Sequence, residues 1–492
     1  DRAESFLSDT HGRDQVTTVQ LALDKDGTFR GLRTQTVGNL GAFCGTVGPF
    51  TPTGGSSRTQ GGPFKFDAIY YTAIAPFTNT CPLDPYRGAG RPEGSYQMDR
   101  IIDYAAATLG MDPIELRRKN LIQPEDLPMK SPMGLDIDSG NFPEVFERTL
   151  QLSDREGYEA RVQESAAKGL KRGFGVSMYL ECTGGGPKEE AKVSFMDGGK
   201  VELSVGSSST GMGHETAFAQ ILAGHLGLAI EDVVFHQADT DATAIGGGHG
   251  GSRGLEVGGS AVLQTSRQVV EVGKKIAAHR FEVDADKVAF ADGSFHVPGT
   301  NHTMTMRDVI DVQNDPDQLP DDLEPGALNI SSVFERAIIS IPNGGHAAEV
   351  EVDPDTGTIK IDGYWVIDDF GTIINPMLAD GQVMGGVAQG IGQALMENIV
   401  YDDSGQLVTG SLMDYAMPRA DDIPKMVIGY YEDAPTKKNL LGVKGAGEAG
   451  CVGAPPAIVN AVCNALKDLG VHHIDMPLTP ERVWRAIQDA KN

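Results

Sequence analysis

Apolar residues recur along this chain in two rhythms, and the rhythm changes wherever glycines cluster. Thr17-Thr18-Val19-Gln20-Leu21-Ala22-Leu23 alternates with period two and runs into Asp24-Lys25-Asp26-Gly27, which predicts a strand and a hairpin turn. Residues 1 to about 75 read as extended structure on this pattern. Gly38 to Gly62, rich in Gly, Thr and Ser, reads as a loop or a substrate-facing surface. Met98, Ile101, Ile102, Ala105 and Leu109 share one helical face, and a second helix is expected after Asp112-Pro113. Prolines and an amphipathic, charged helix around Glu144 to Lys168 then suggest a connection between lobes. From Phe174 the pattern restarts, with a hairpin at Asp197-Gly198-Gly199 and the alternation Val201, Leu203, Val205. Thr479 followed by Pro480 predicts the cap of a last helix.

Three times a glycine-rich loop runs into an apolar-faced helix. Gly206 to Leu228 does so with Phe218, Ile221, Leu222 and Leu226 on one face; unpaired amides and the helix dipole there suit an anion. It is not a Walker loop, because no Gly-Lys-Ser/Thr follows. Gly246 to Val262 repeats the theme with Ser252 and Arg253 ahead of a helix reaching about Arg280. Asp380 to Leu395 is a helix with Val383, Val387, Ile391, Ala394 and Leu395 inward. Its Gly385, Gly386, Gly390 and Gly392 each weaken a helix by roughly 1 kcal/mol relative to alanine, which implies close packing or close ligand approach. A fourth loop, Gly442 to Val462, carries Glu448 between glycines directly ahead of a helix. Four such constructions suggest one extended, phosphorylated ligand gripped from several sides.

Charge and length change the picture in two ways. The 492 residues suffice for two to four domains or lobes. A net charge of −27 argues against nucleic acid or an anionic membrane as partner, though backbone amides still allow an anionic cofactor. The five cysteines show no CxxC pair and suggest a reduced intracellular protein; no iron–sulfur or zinc site, and no metal ligand, is expected in this chain. There is no run of 18 apolar residues and no signal peptide, so a cytoplasmic location is expected. The charged start at Asp1, without methionine, leads us to expect a missing or separately encoded N-terminal portion, in which a targeting signal could lie.

Gly445-Ala446-Gly447-Glu448-Ala449-Gly450 also spells GxGxxG. A dinucleotide fold fits poorly: no apolar strand leads into Gly445, only 42 residues follow Gly450, and a carboxylate in the phosphate turn would repel a pyrophosphate. A C-capping loop with a solvated glutamate and a loop that presents a catalytic base both remain open on these residues alone. The eleven histidines include no i,i+4 pair, and His472-His473 reads as surface.

The set PYRGAGRPEG, GMGHETAFAQI, DGQVMGGVAQGIGQAL and GVKGAGEAG resembles, in order, the molybdenum-binding large subunit of the xanthine oxidase/aldehyde oxidase/carbon monoxide dehydrogenase family. The resemblance runs from the first residues to the last helix. It implies an α+β fold: mixed sheets with packed helices in two lobes, and repeated strand–Gly loop–helix units around a molybdopterin. Residues 1–150 would be the remainder of the first lobe with the active-site loop, 151–172 the connection, and 173–492 the second lobe. The resemblance places the family's general base on Glu448, where it would activate a water-derived oxygen for attack on an electron-poor carbon. It places the substrate-orienting arginine on Arg87. Cofactor contacts would come from Gly88, Ala89, Thr210, Gly211, Met212, Gly213, His214, Gln220, Gly251, Ser252, Arg253, Asp380, Gln382, Gly445 and Gly447. The implied cofactor is a molybdenum-bearing molybdopterin, in bacterial members usually the cytosine dinucleotide. The implied partners are a 2Fe-2S small subunit and an FAD medium subunit, together with a portion carrying the family's GGGFG-like cofactor motif. The implied reaction is oxidation of an aldehyde or N-heteroaromatic carbon; a cofactor-free scaffold subunit is the alternative.

Two departures from the family's pattern bear on the site, the first on substrate and the second on a cofactor contact. Carbon monoxide dehydrogenases carry a cysteine in a YRCSFR-like loop, where this chain has Tyr86-Arg87-Gly88-Ala89-Gly90-Arg91. The family often has GQGH where this chain has Gly211-Met212-Gly213-His214, so Met212 offers only its backbone.

Overall fold

A computed structural model describes residues 1–491. Three main sheets carry the architecture. Gln15–Leu23 and Phe29–Gly38 form the expected antiparallel hairpin, and Ala68–Ile74 adds in parallel. A second, four-stranded sheet runs in the order Met426–Tyr430, Ile359–Asp369, Asn343–Val352, Lys171–Leu180. The third runs Ile330–Glu335, Lys188–Phe195, Val201–Val205, Val233–Gln237. Helices cover these sheets, giving the α+β architecture that the resemblance implied.

The Ala449–Leu466 helix is the centre of the largest core. It is almost entirely buried, and its small residues let it lie directly on the second sheet. A Cβ on Gly173 or Gly175 would collide with the carbonyls of Ala461 or Ala457, so glycine in that strand sets the helix–sheet distance. The Pro376–Leu395 helix crosses it just as closely. A Cβ on Gly386 would lie 2.9 Å from Gly450 Cα, and one on Gly390 would lie 2.5 Å from Ala454 Cβ. The glycines of that helix are thus largely explained by packing. The Ala449–Leu469 stretch is long and apolar enough to cross a membrane by composition, contrary to expectation. It is 94% buried within the fold, however, and serves as core.

Other expectations need correction. Glu144 to Lys168 is not one helix: Phe142–Leu152 and Tyr158–Ala166 are separated where Asp154 turns left-handed at φ 48°. One hydrophobic cluster joins Phe29, Met98, Val145 and Phe146 to Val176 and Ala347, across the expected lobe connection. Much of the Gly38 to Gly62 segment is not a surface loop. Thr51, Pro52, Gly55 and Ser56 are buried in short helical turns that pack beneath residues 89–94. The helix expected from Asp380 begins earlier, at Pro376, where the Asn375 side chain accepts from the Leu378 amide. The chain also opens with a short helix, Arg2–Ser8, rather than extended backbone.

Candidate active site

The four loop-to-helix units meet. A Cβ on Gly213, which caps the His214–Leu226 helix, would lie 2.6 Å from Leu378 in the first turn of the Pro376–Leu395 helix. A Cβ on Gly254 would collide with the His214 ring, which brings the turns that open the Ser260–Phe281 helix onto the start of the His214–Leu226 helix. A Cβ on Gly445 would lie 2.8 Å from Ser252 Cβ, and one on Gly447 3.8 Å from Gln382 Oε1. The four helix starts are therefore linked through successive close contacts, and the Ser252 turn meets the start of the Ala449–Leu466 helix at Glu448.

Glu448 sits there as the N-cap residue of the Ala449–Leu466 helix, 9% exposed. The Gly88 amide donates to its Oε1 at 2.9 Å. The Ser252 hydroxyl and Arg91 Nη2 donate to Oε2 at 2.7 and 2.8 Å. Burial would raise the pKa of this carboxyl, but the Arg91 charge, the Ser252 and Gly88 hydrogen bonds and the Arg87 charge outweigh it. The group is held below its ordinary value. It is an anchored carboxylate with no partner from its own helix side chains, which is what a base kept ionised requires.

The loop that supplies Gly88 runs through the left-handed region of backbone space. Gly88, Ala89 and Gly90 all have positive φ, at 101°, 43° and 97°. A Cβ on Gly88 would strike the Pro92 ring, so no side chain fits at this position without movement. Arg87 reaches both the Glu448 loop and the Pro376–Leu395 helix. Its Nε donates to the Gly447 carbonyl, Nη1 to Gln389 at 3.0 Å, and Nη2 to the Gln382 carbonyl and side chain at 3.1 and 2.9 Å. Arg13 in turn donates to the Arg87 carbonyl and to Glu93, with its guanidinium over the Tyr86 ring.

The remaining predicted residues are placed as follows. Ser252, at φ 61°, and Gly251, at φ 82°, form the turn that faces Glu448. The Arg253 side chain points inward: fully buried, it donates to Gly186, Gly248 and Lys188 carbonyls and pairs with Glu189, leaving the helix-start amides rather than its guanidinium for a ligand. His214 is likewise turned inside, stacked on Phe218 at 5.2 Å. Burial lowers its pKa, with His249 nearby adding to the effect. Thr210 and Gly211 are exposed, and the Thr210 amide lies 3.1 Å from Met212 Sδ. Gln220 accepts from Asn375 at 2.8 Å, and Asp380 accepts from the Tyr430 hydroxyl at 2.6 Å. Gly445 donates to Thr183 Oγ1 at 3.2 Å, beneath a fully buried Lys444–Asp369 pair at 2.7 Å.

Sequence reasoning did not single out Arg91 as the partner of Glu448, nor Glu181, which Arg91 also contacts at 2.6 Å. A signal for Glu181 exists: it is a lone acid ending a buried strand and leading into Thr183-Gly184-Gly185-Gly186.

A Cβ on Gly186, Gly211, Gly248, Gly250 or Gly381 would meet nothing within 4 Å. Bare backbone thus borders open space around the linked helix starts, a cradle suited to an extended polyanion. The comparisons agree with this class of site. The sequence matches the molybdopterin cofactor-binding domain over residues 1–121 and again over residues 148–424. The chain belongs to the molybdenum-binding large subunits of the xanthine oxidase family. The gamma subunit of the 6-hydroxypseudooxynicotine dehydrogenase complex of Paenarthrobacter nicotinovorans is 34% identical over 498 residues, covering 99% of this chain and 62% of that protein. The carbon monoxide dehydrogenase large chain of Afipia carboxidovorans is 32% identical over 509 residues, with coverages of 99% and 62%. The crystal structure of quinoline 2-oxidoreductase from Pseudomonas putida 86 superposes with a TM-score of 0.94 at 34% identity, over 99% of this chain and 64% of that one. The chain thus spans under two thirds of the length of these relatives.

Proposed function

We propose that this chain is the catalytic part of a molybdenum hydroxylase or dehydrogenase that oxidises an N-heteroaromatic or aldehyde carbon with water-derived oxygen. The observation that carries the proposal is Glu448: a carboxylate held ionised by three donors from two distant segments, at the start of the Ala449–Leu466 helix. The residues fit a molybdopterin. Backbone around Gly211, Gly248, Gly251, Ser252 and Gly381 would hold its phosphates, and Gln382, Gly88 and Ala89 would border its metal end. When bound, that group supplies the redox chemistry, accepting the electron pair that leaves the substrate carbon. Glu448 takes up a proton at its carboxylate, and Ser252, Gly88 and Arg91 keep the oxygens in place. Arg87 braces the Gly88 loop against the Glu448 loop and lies beside the negative charge that develops on substrate.

Two features favour a carbon substrate other than carbon monoxide. The loop position where carbon monoxide dehydrogenases carry cysteine is Gly88, and the Pro92 ring leaves no room there for a side chain. The electron acceptors are an iron–sulfur and a flavin subunit, in keeping with the complex-subunit names of the relatives. A further polypeptide portion completes the first lobe. Val16, Val37 and Ile74 are cross-strand neighbours on the open face of the first sheet and are 76%, 48% and 67% exposed, a row that such a portion would cover. Free cysteines throughout the described residues suit a cytoplasmic setting.

Glu448→Gln in the purified complex tests the proposal. Turnover is expected to fall by roughly 10²–10⁴-fold while molybdenum stays bound. Retained turnover would overturn the role of Glu448, and a wild-type complex without molybdenum would favour a scaffold subunit instead.

A further inference from the structure

Behind Glu448 stands a second carboxylate that takes no part in the proposed reaction. Glu181 follows the Lys171–Leu180 strand and is fully buried. Arg91 Nε and Nη2 both donate to one oxygen, Glu181 Oε1, at 2.9 and 2.6 Å, and Nη2 also donates to Glu448 Oε2 at 2.8 Å. Glu181 Oε2 is buried and has no hydrogen-bond partner among the described residues. One guanidinium thus serves two carboxylates. Glu256 is a third acid in the neighbourhood, engaged by Arg336 at 3.5 Å and by the Ser340 hydroxyl at 2.6 Å. The buried Cys182 thiol and Tyr179 phenol lie alongside, with the Arg58 charge acting on Cys182, and burial pushes the Cys182 thiol up to about 11.

Two carboxylates share the Arg91 guanidinium, and the Arg87 charge acts on Glu448 but not on Glu181, so Glu181 is favoured as the proton holder. Glu448 has Ser252, Gly88 and a helix N-terminus in addition to Arg91; Glu181 has Arg91 alone and one bare oxygen. We infer that Glu181 is a positioning residue for the base: it carries a proton near neutral pH, so that the Arg91 charge serves Glu448. Ionisation of Glu181, with its proton lost to solvent, gives the guanidinium a second full negative charge to balance and raises the proton affinity of Glu448. Burial supports this assignment, pushing the Glu181 carboxyl up to about 8, with Glu448 and Glu256 assisting and Arg91 opposing.

The inference rests on Glu448 as the base, and the two are separable by experiment. Difference infrared spectroscopy of the wild-type complex, titrated from neutral to alkaline pH, is expected to show a protonated-carboxyl band that disappears near pH 8. Glu181→Gln is expected to lack that band and to lose any inflection near pH 8 in kcat/KM, while Glu181→Asp restores both. Absence of the band in wild type, or an inflection that persists in Glu181→Gln, overturns the inference without touching Glu448. Retained turnover in Glu448→Gln overturns the base while the infrared band still stands.

Discussion

The hydroxyl of Ser252 donates to Oε2 of Glu448 across 2.7 Å, although 196 residues separate the two in sequence. Ser252 reaches it from a left-handed turn, at φ 61°, just ahead of the turns that open the Ser260–Phe281 helix. The contact joins two of the four loop-to-helix units and helps hold the carboxylate below its ordinary pKa.

Removing that donor has a directional consequence. In Ser252→Ala the Glu448 carboxyl loses a hydrogen bond to its charged form, so its proton affinity rises and the acid limb of kcat/KM moves to higher pH. A hydrogen bond to a charged group contributes about 1.5–3 kcal/mol, so the acid limb should move up by roughly 1–2 pH units, and kcat/KM should fall by roughly 10–100-fold at pH values below it. A pH–rate profile with molybdenum quantified in each sample checks this; an unmoved acid limb would show that Ser252 does not set the base.

Gly88→Ala should damage the site without unfolding the chain. The added Cβ meets the Pro92 ring at a φ of 101°. Strain of about 1–3 kcal/mol is expected, localised to the loop that feeds an amide to Glu448. Thermal unfolding would shift modestly while kcat drops; wild-type kcat would mean that the loop accommodates the methyl.

Arg87→Ala breaks the brace between the Gly88 loop, the Gly447 carbonyl and the Pro376–Leu395 helix. We expect a loss of about 2–3 kcal/mol in stability together with lower kcat, measured by chemical denaturation and steady-state kinetics. Arg87→Lys should recover little, because an ammonium cannot reach three partners in the plane of a guanidinium.

Lys444→Met leaves Asp369 buried without its cation. Burial pushes the Asp369 carboxyl up and Lys444 opposes it, so removing the lysine favours the neutral acid. A deficit of about 3–5 kcal/mol is expected at neutral pH. At acid pH, where Asp369 is protonated in both proteins and wild type keeps a buried ammonium, the deficit should shrink. Denaturation at two pH values checks the sign.

Glu181 makes a separate statement about stability. Its folded pKa, about 8, lies above that of an ordinary glutamate. Such a group contributes stability that is fully present below the unfolded pKa and is lost as pH rises through the folded one. Relative to Glu181→Gln, wild type should therefore lose melting temperature progressively from mildly acid pH to just above pH 8. A constant difference would mean that Glu181 stays ionised throughout.

The sequence made the ingredients of this site readable but not their arrangement. Glu448, Ser252 and Gly88 stand out as small-residue loops ahead of helices, and the fold does bring them together. Arg253 and His214 sit in the same loops, yet their side chains turn inward to Glu189 and Phe218, because loop motifs specify backbone path and not side-chain direction. Arg91 and Glu181 were hidden for a different reason. Their importance lies in a contact across 90 residues between a helix start and a strand end, and no local pattern encodes such a pairing. The Asn375 cap was legible in principle, since Asn-Pro is a helix-start signal. It was masked by the stronger glycine pattern that follows it.

The convergence at Glu448 also makes the ionised state of this carboxylate depend on assembly of the chain. Its donors come from residues 88, 91 and 252, and the carboxylate itself from residue 448. Until the helices that carry these segments have docked, Glu448 is an ordinary glutamate on a flexible glycine loop. The reactive state of the carboxylate therefore reports that distant parts of the chain have assembled correctly, so an incompletely folded chain is also chemically silent.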